Sequence, residues 1–321
     1  MPEIGLTFKK SQPIFDGKYV LMKYQALLAF SAISSLWRPL EKDHYWVVFE
    51  AWQDKSIVGL ALVKMETALI TAQLYSLFVI ESCRRQGIGL ALFRHLQNNL
   101  VQENQIRALG FEYVSGTPEA EAMEKILIHQ KWPAPFLYVT RCYFIAEQFC
   151  PPWYRTYSHK LPASMEVFSW KDLTDQDRER IKKMFDDSLV PFYLDPFANE
   201  EYPLSESTSL GLRYQGELIG WCLTHLVDPR TIRYSNLFIL DQFKAVGLGI
   251  QLLIESIRRQ KLRPELFAYA FFMIRVNLIP PSWQHFVDKK LIPYSFKVER
   301  VNWAMQRFFN HLYMRPIRPG S

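Results

Sequence analysis

The sequence is short of cysteine, has no long apolar run and carries no concentrated charge, and each shortage removes a class of function. Its four cysteines, Cys83, Cys142, Cys150 and Cys222, form no C-x-x-C pair and have no histidine at metal-ligand spacing. That argues against a zinc module or a disulfide framework, predicts no metal centre, and suits a reducing cytoplasm with the thiols buried as small hydrophobes. The longest apolar stretch, within Leu266 to Ile274, is shorter than the ~20 residues of a membrane-spanning helix. MPEIGLTFKK lacks the apolar core of a secretory signal, so a cytoplasmic protein without a membrane partner is expected. The net charge of +6 suits an anionic ligand but falls short of the basic face of a nucleic-acid binder, and no nucleic-acid partner is expected.

The 321 residues are 49% hydrophobic, enough to bury a sizeable core, and the length suits about two domains. The most informative stretch is Leu77 to Leu92, LFVIESCRRQGIGLAL. An apolar strand pattern ends at Ile80, and Arg84-Arg85-Gln86-Gly87-Ile88-Gly89 opens a helical pattern with Leu92, Leu96 and Leu100 on one face. Strand, glycine loop and helix start in that order suit a phosphate group. Unpaired N–H groups and the positive end of the helix dipole point at one spot, and glycine lets an anion approach the backbone.

The device occurs twice. Leu237-Phe238-Ile239 through Lys244-Ala245-Val246-Gly247-Leu248-Gly249 repeats Leu77 to Gly89 at an offset of 160 residues. The same offset places Ala108, Phe111, Pro133 and Phe136 on Ala268, Phe271, Pro293 and Phe296, and Thr117 on Asn277; Gly59 and Gly220 agree with a one-residue shift. A register kept over this distance is an internal duplication whose units are domain-sized. The predicted domains are 1–150 and 164–316, joined by the Pro- and Tyr-rich stretch CPPWYRTYSHKLPA.

Each half reads as a strand, one or two helices, a strand hairpin, a strand leading into the glycine loop and its helix, then strand, helix and strand. This order resembles the GNAT superfamily of acyl-CoA-dependent N-acyltransferases, here as a tandem pair covering nearly the whole chain. The resemblance implies an α/β mixed-sheet fold in each half, duplicated as two three-layer domains. It also implies that acetyl-CoA or a longer acyl-CoA lies between the fourth and fifth strands. The pyrophosphate would rest on Arg84, Arg85, Gln86, Gly87, Ile88, Gly89 and Leu90, and a backbone N–H near Phe78 and Val79 would hold the oxyanion. The second loop keeps its glycines and Lys244 but loses the other polar residues, which makes the first copy the expected CoA site.

The chemistry is less conventional. Many members of the superfamily carry a tyrosine acid on the helix after the fifth strand, where the nearest residues here are Leu127 and Phe286. Many carry a glutamate base early in the fourth strand, where this chain has Gln73 and Arg233. The replacement candidates are Tyr75, Glu112 and Tyr113, with His129 behind them; the second copy offers Tyr234, Tyr269 and His285. Each also fits an ordinary role in sheet packing, on a solvent-facing strand or at a helix end. Asp195, Glu200, Glu201 and Glu206, in a lid-like stretch from Val190 to Ser209, suit a cationic amine or a solvated loop. The expected reaction transfers an acetyl or longer acyl group to a primary amine of a small molecule or peptide side chain; the rival is a non-catalytic CoA-binding scaffold.

Overall fold

The computed structural model describes residues 6–28, 35–37, 39–103, 105–156, 162–198, 202–244 and 247–308. The first repeat runs β1 (Leu6–Lys10), α1 (Gly17–Tyr24), β2 (His44–Gln53), β3 (Ser56–Glu66), β4 (Thr71–Val79), α2 (Ile88–Gln102), β5 (Ala108–Val114), α3 (Pro118–His129) and β6 (Phe136–Ile145). A short helix α4 (Pro152–Thr156) precedes the second repeat. That repeat runs β7 (Met165–Ser169), α5 (Asp175–Asp186), β8 (Leu210–Tyr214), β9 (Glu217–Asp228), β10 (Thr231–Ile239), α6 (Asp241–Lys244), α7 (Leu248–Lys261), β11 (Tyr269–Arg275), α8 (Pro281–Phe286) and β12 (Lys297–Arg307).

Local chemistry accounts for the boundaries. Gln215 and Gly216 both have positive φ, the backbone of a two-residue hairpin turn between β8 and β9. Thr117 caps α3, accepting a hydrogen bond from the Ala120 N–H at 3.1 Å, and Pro118 fills the first turn, where no N–H partner is needed. Thr174 and Asp177 form a reciprocal capping box at the start of α5.

The packed units do not follow the repeat boundaries. Unit 1 comprises Met1–Leu137 and Val301–Ser321, and unit 2 is Tyr138–Arg300. Each repeat gives most of its sixth strand to the other unit. β12 pairs with β5 from Val301↔Val114 to Arg307↔Ala108, and β6 pairs with β11 from Ile145↔Tyr269 to Val139↔Arg275. An unpaired sheet edge selects for backbone hydrogen bonds, and either sixth strand can supply them, so sequence order alone does not assign the edge. Unit 1 thus has strand order β1-β2-β3-β4-β5-β12, and unit 2 has β6-β11-β10-β9-β8-β7.

In unit 1, α2 and α3 cover one sheet face with Leu92, Phe93, Leu96, Leu100 and Leu127. Val20, Leu21 and Tyr24 of α1 pack on the other, against Trp46, Val48, Leu60 and Leu62. In unit 2, Leu252, Leu253 and Ile257 of α7 and Ile181 and Met184 of α5 share a core with Trp221. Among the cysteines, Cys142 and Cys222 are buried as expected, whereas Cys83 is half-buried and Cys150 exposed.

The repeated glycines Gly59 and Gly220 have a steric reason. A Cβ on Gly59 would stand 3.3 Å from the Phe78 carbonyl oxygen; on Gly220 it would stand 2.4 Å from that of Phe238, the repeat equivalent. Gly220→Ala is therefore expected to destabilise unit 2 by about 1–3 kcal/mol through overpacking, and Gly59→Ala to cost less. Urea unfolding followed by tryptophan fluorescence checks the order, and equal costs would contradict the steric account.

Candidate functional site

The site in each unit begins where two parallel strands part. β4 and β5 pair only at Thr71↔Ala108, Ala72↔Leu109 and Gln73↔Gly110. Beyond that point β4 stays on β3, through Ser76↔Leu62 to Val79↔Gly59, while β5 stays on β12. The facing edges beyond Gln73 and Gly110 are left without a β4–β5 ladder. A register shift at Tyr75 marks a β-bulge, a feature that bends a strand and re-aims its side chains. It also reverses the alternation: Ala72 and Leu74 face the α2 core before the bulge, and Leu77 and Val79 face it afterwards.

The second copy repeats this geometry. β10 and β11 pair from Thr231↔Tyr269 to Tyr234↔Phe272 and then separate, with a register shift at Ser235, the repeat equivalent of Tyr75.

At the parted end of β4 the chain enters the glycine loop. Arg85 and Gly87 have φ of 64° and 82°, left-handed residues of the kind that turn successive N–H groups toward one concavity. Ala91 donates to the Gly87 carbonyl, and Arg84 to that of Glu81. Among the described residues, no backbone or side-chain acceptor takes the N–H groups of residues 85–90. They stand at the positive end of the fifteen-residue α2. Arg84 Nε donates to the Val79 carbonyl at 3.0 Å and its guanidinium lies 5.7 Å from the Phe78 ring centre, which pins this cation across the strand end. Gln86 is held back by a 3.3 Å bond from its amide to the Ser82 carbonyl, and Arg85 is exposed. Ile88 is buried, anchoring the helix start; a Cβ built on Gly89 would meet Val79 and Ile126 at ordinary contact distance, and Leu90 is half-buried.

Among its described residues, the second loop already has one of its donors engaged. Ile250 and Gln251 both donate to Gly247, whose own N–H is taken by Lys244. The Lys244 ammonium is paired with Asp241 at 2.5 Å. Ala245 and Val246 lie outside the described residues, as do Glu200 and Glu201 of the lid. Asp195 accepts a bond from the Phe197 N–H, and Glu206 is exposed.

The three catalytic candidates of the first copy have separate surroundings. Tyr75 packs edge-on against Trp46, ring centres 4.9 Å apart, within the core under α1. Glu112 is exposed and opposite Trp303 on β12, not in the strand interior its apolar neighbours suggest. Tyr113 lies on the α2 and α3 face beyond the last β4–β5 pair. Its hydroxyl donates to Glu124 Oε1 at 2.9 Å and accepts from Asn302 Nδ2 at 3.5 Å. Burial, reinforced by the Glu124 carboxylate and opposed by the Asn302 bond, holds its phenol above the ordinary range. The structure therefore gives the Tyr113 hydroxyl two polar partners on the α2 and α3 face. Glu124 and Asn302 escape sequence reasoning, one as an ordinary helix glutamate and the other arriving on a strand of the second repeat.

The remaining candidates are less suited. His129, His285 and, on β11, Tyr269 are exposed. Tyr234 donates to Gln260 Oε1 at 3.0 Å, and burial raises its phenol far above the ordinary range. Arg233, at the expected base position, is buried, with Nε donating to Ser235 Oγ at 2.8 Å and its guanidinium over the Tyr202 ring. A cation there cannot accept a proton. Among the described residues there is no group of three metal-ligating side chains, and no helix long and apolar enough to cross a membrane.

Comparison with known proteins agrees with this geometry. Residues 21–123 match the family model of the acetyltransferase (GNAT) family. No curated protein matches the chain. Among solved structures it is similar to a tandem GNAT protein from the clavulanic acid biosynthesis pathway, solved without AcCoA: TM-score 0.61, 12% identity, 94% of this chain and 98% of that one covered. A GCN5-related N-acetyltransferase from Sphaerobacter thermophilus gives a TM-score of 0.57 at 13% identity over 96% of each chain. The glucosamine N-acetyltransferase region of a fungal multi-domain GH3 β-N-acetylglucosaminidase gives 0.57 at 11% identity, covering 95% of this chain and 38% of that one. The chain is a tandem GNAT-fold protein. The family match itself lies within the first repeat.

Proposed function

We propose that the protein is an acyl-CoA-dependent N-acyltransferase whose CoA site is the β4–β5 cleft of unit 1. The observation that carries this reading is the uninterrupted row of unclaimed N–H groups at residues 85–90, beside two arginines and the start of a long helix. A pyrophosphate supplies the dense negative charge such a row binds with little reorganisation. Phe78 and Val79 offer backbone to the pantetheine and thioester carbonyl along the open edge of β4.

In this reading a neutral primary amine attacks the thioester carbon. The new N–C bond forms, the C–S bond breaks, and the ammonium proton leaves through water, since Gln73 stands where a carboxylate base is expected. Tyr113 donates a proton to the departing thiolate and is reprotonated by solvent through Glu124, which accepts its hydrogen bond. Its raised phenol keeps the proton available at neutral pH. Tyr75 and Glu112, on or beside the opposite sheet face, suit the acceptor side. The acceptor is a small-molecule or peptide-borne amine, and the donor carries an acetyl or longer acyl group.

Release of CoA thiol from acetyl-CoA and hexanoyl-CoA, measured against a panel of amines and lysine-bearing peptides, tests the activity. Tyr113→Phe is expected to lower kcat by about 10²–10⁴-fold with little change in KM, the range of a lost general acid. Acyl-CoA binding without turnover on any acceptor would replace this reading by the non-catalytic scaffold. An unaltered kcat would remove Tyr113 from the mechanism.

A further inference from the structure

A lysine without a counter-ion stands where β4 and β5 of unit 1 part. The last rung before the gap is Gln73↔Gly110; Gln73 is also opposite Lys64 on β3, and Lys64 is opposite Trp46 on β2. Leu60 and Leu62 face the α1 core, and strand alternation puts Lys64 on that side too. Ala72, Leu74, Leu109 and Phe111 face the α2 core, so Gln73 and Gly110 turn to the α1 side as well. A Cβ on Gly110 would stand 2.5 Å from the Trp303 ring, so the indole lies directly on the backbone of this rung. Lys64 is half-buried, and its ammonium lies over the Tyr75 ring, 5.4 Å from the centre. Among the described residues it makes no ion pair and no hydrogen bond.

A half-buried ammonium keeps the cost of its partial desolvation unless an anion offsets it. Lysine presents that charge as a compact point with three donors, which suits a carboxylate or a phosphate. The second copy pairs Arg233 with His225 on the equivalent rung, so basic side chains recur at this place in both repeats. We infer that Lys64 is a specificity-determining residue that binds a compact anionic group on the ligand of the α1 face. The acceptor of unit 1 is then an amine that also carries an acid group, the chemistry of a free amino acid or a phosphorylated amino alcohol, in preference to a plain alkylamine. The inference rests on the acyltransferase reading for calling this ligand an acceptor, and not for its binding at Lys64.

The test titrates the full chain, saturated with CoA, by calorimetry with three matched pairs: leucine and leucinamide, 6-aminohexanoate and hexylamine, O-phosphoethanolamine and ethanolamine. Release of CoA thiol from acetyl-CoA with the same six compounds is the second readout. In at least one pair the anionic member is expected to bind at least about tenfold more tightly than its partner, the lower end of what a charge-assisted hydrogen bond supplies. The pair that shows the ratio identifies carboxylate or phosphate as the anion. Lys64→Met keeps the aliphatic stem against Tyr75 and is expected to bring the ratio below about threefold, raising KM for the anionic member more than it changes kcat. Lys64→Arg keeps the charge and is expected to keep the ratio. If Lys64→Met does not fold, Lys64→Gln serves in its place. A ratio below about threefold in every pair, or no binding by any member, overturns the inference. So does a ratio that survives Lys64→Met in a folded protein. Binding that depends on Lys64 with no turnover of any compound would remove the acyltransferase reading and leave the anion site standing.

Discussion

Gly87→Glu is expected to weaken acyl-CoA binding to unit 1 by at least about a hundredfold, roughly 3 kcal/mol, because it sets a carboxylate against the pyrophosphate. Gly87 has φ of 82°, and a Cβ built on it meets nothing within 4 Å. The substitution therefore has room and acts through charge and the left-handed backbone. Gly87→Ala separates the two, since it keeps the backbone strain, about 1–2 kcal/mol, and adds no charge. Gly247→Glu is expected to cost less than about tenfold in the same titration, because the Gly247 N–H is already taken by the Lys244 carbonyl and the Lys244 ammonium is paired with Asp241. Calorimetric titration of CoA into the three variants decides the matter. Equal losses at Gly87 and Gly247 would overturn the assignment of the CoA site to unit 1.

Arg213→Met is expected to destabilise unit 2 by about 3–5 kcal/mol, the cost of leaving a buried charge without its partner. Arg213 donates to both Asp177 oxygens, at 3.1 and 2.6 Å, and to Glu166 at 3.2 Å, while its guanidinium lies 3.6 Å from the Phe168 ring centre. Asp177 has a side chain only 4% exposed and also accepts the Thr174 N–H and hydroxyl. One ion pair thus ties the α5 capping box to β7 and β8. Burial pushes the Asp177 carboxyl up, but the Arg213 bonds, together with those from Thr174, outweigh it and leave the carboxyl below its ordinary value. A depressed carboxyl contributes stability that is fully present above the unfolded-state value, about 4, and is lost as pH falls through the folded value. The gap in urea midpoint between wild type and Arg213→Met should therefore be constant near neutrality and narrow below about pH 4. A gap that does not change with acidification would show that the arginine acts through packing on Phe168.

The site was only partly legible in the sequence. The glycine loop was, because φ above zero and a helix start leave local signatures: glycine at 87 and 247, apolar residues at four-residue spacing after them, and an apolar strand before. The positions of the candidate side chains were not. Strand alternation read from β4 as a regular strand misses the bulge at Tyr75, and one extra residue reverses which face every later side chain meets. Glu112 looks interior from its apolar neighbours, yet it is exposed, while its neighbour Tyr113 finds Glu124 eleven residues along and Asn302 from the other repeat.

By itself the sequence determined the duplication, the order of strands and helices in each repeat, the cap at Thr117, and the two glycine loops. All of these are set by interactions within a few residues or by periodicity along one element. Tertiary structure decided which unit receives β6 and β12, how far β4 stays paired with β5, and whether a cleft encloses a usable hollow. The edges of β5 and β11 accept strands through backbone hydrogen bonds, which either sixth strand can supply. A hollow beside the parted strands β10 and β11 of unit 2 is lined by Leu253, Phe272 and Trp283, which are far apart in the chain. Neither pairing choice nor unfilled volume is written in any local pattern of residues; both follow from which surfaces meet once the chain has packed.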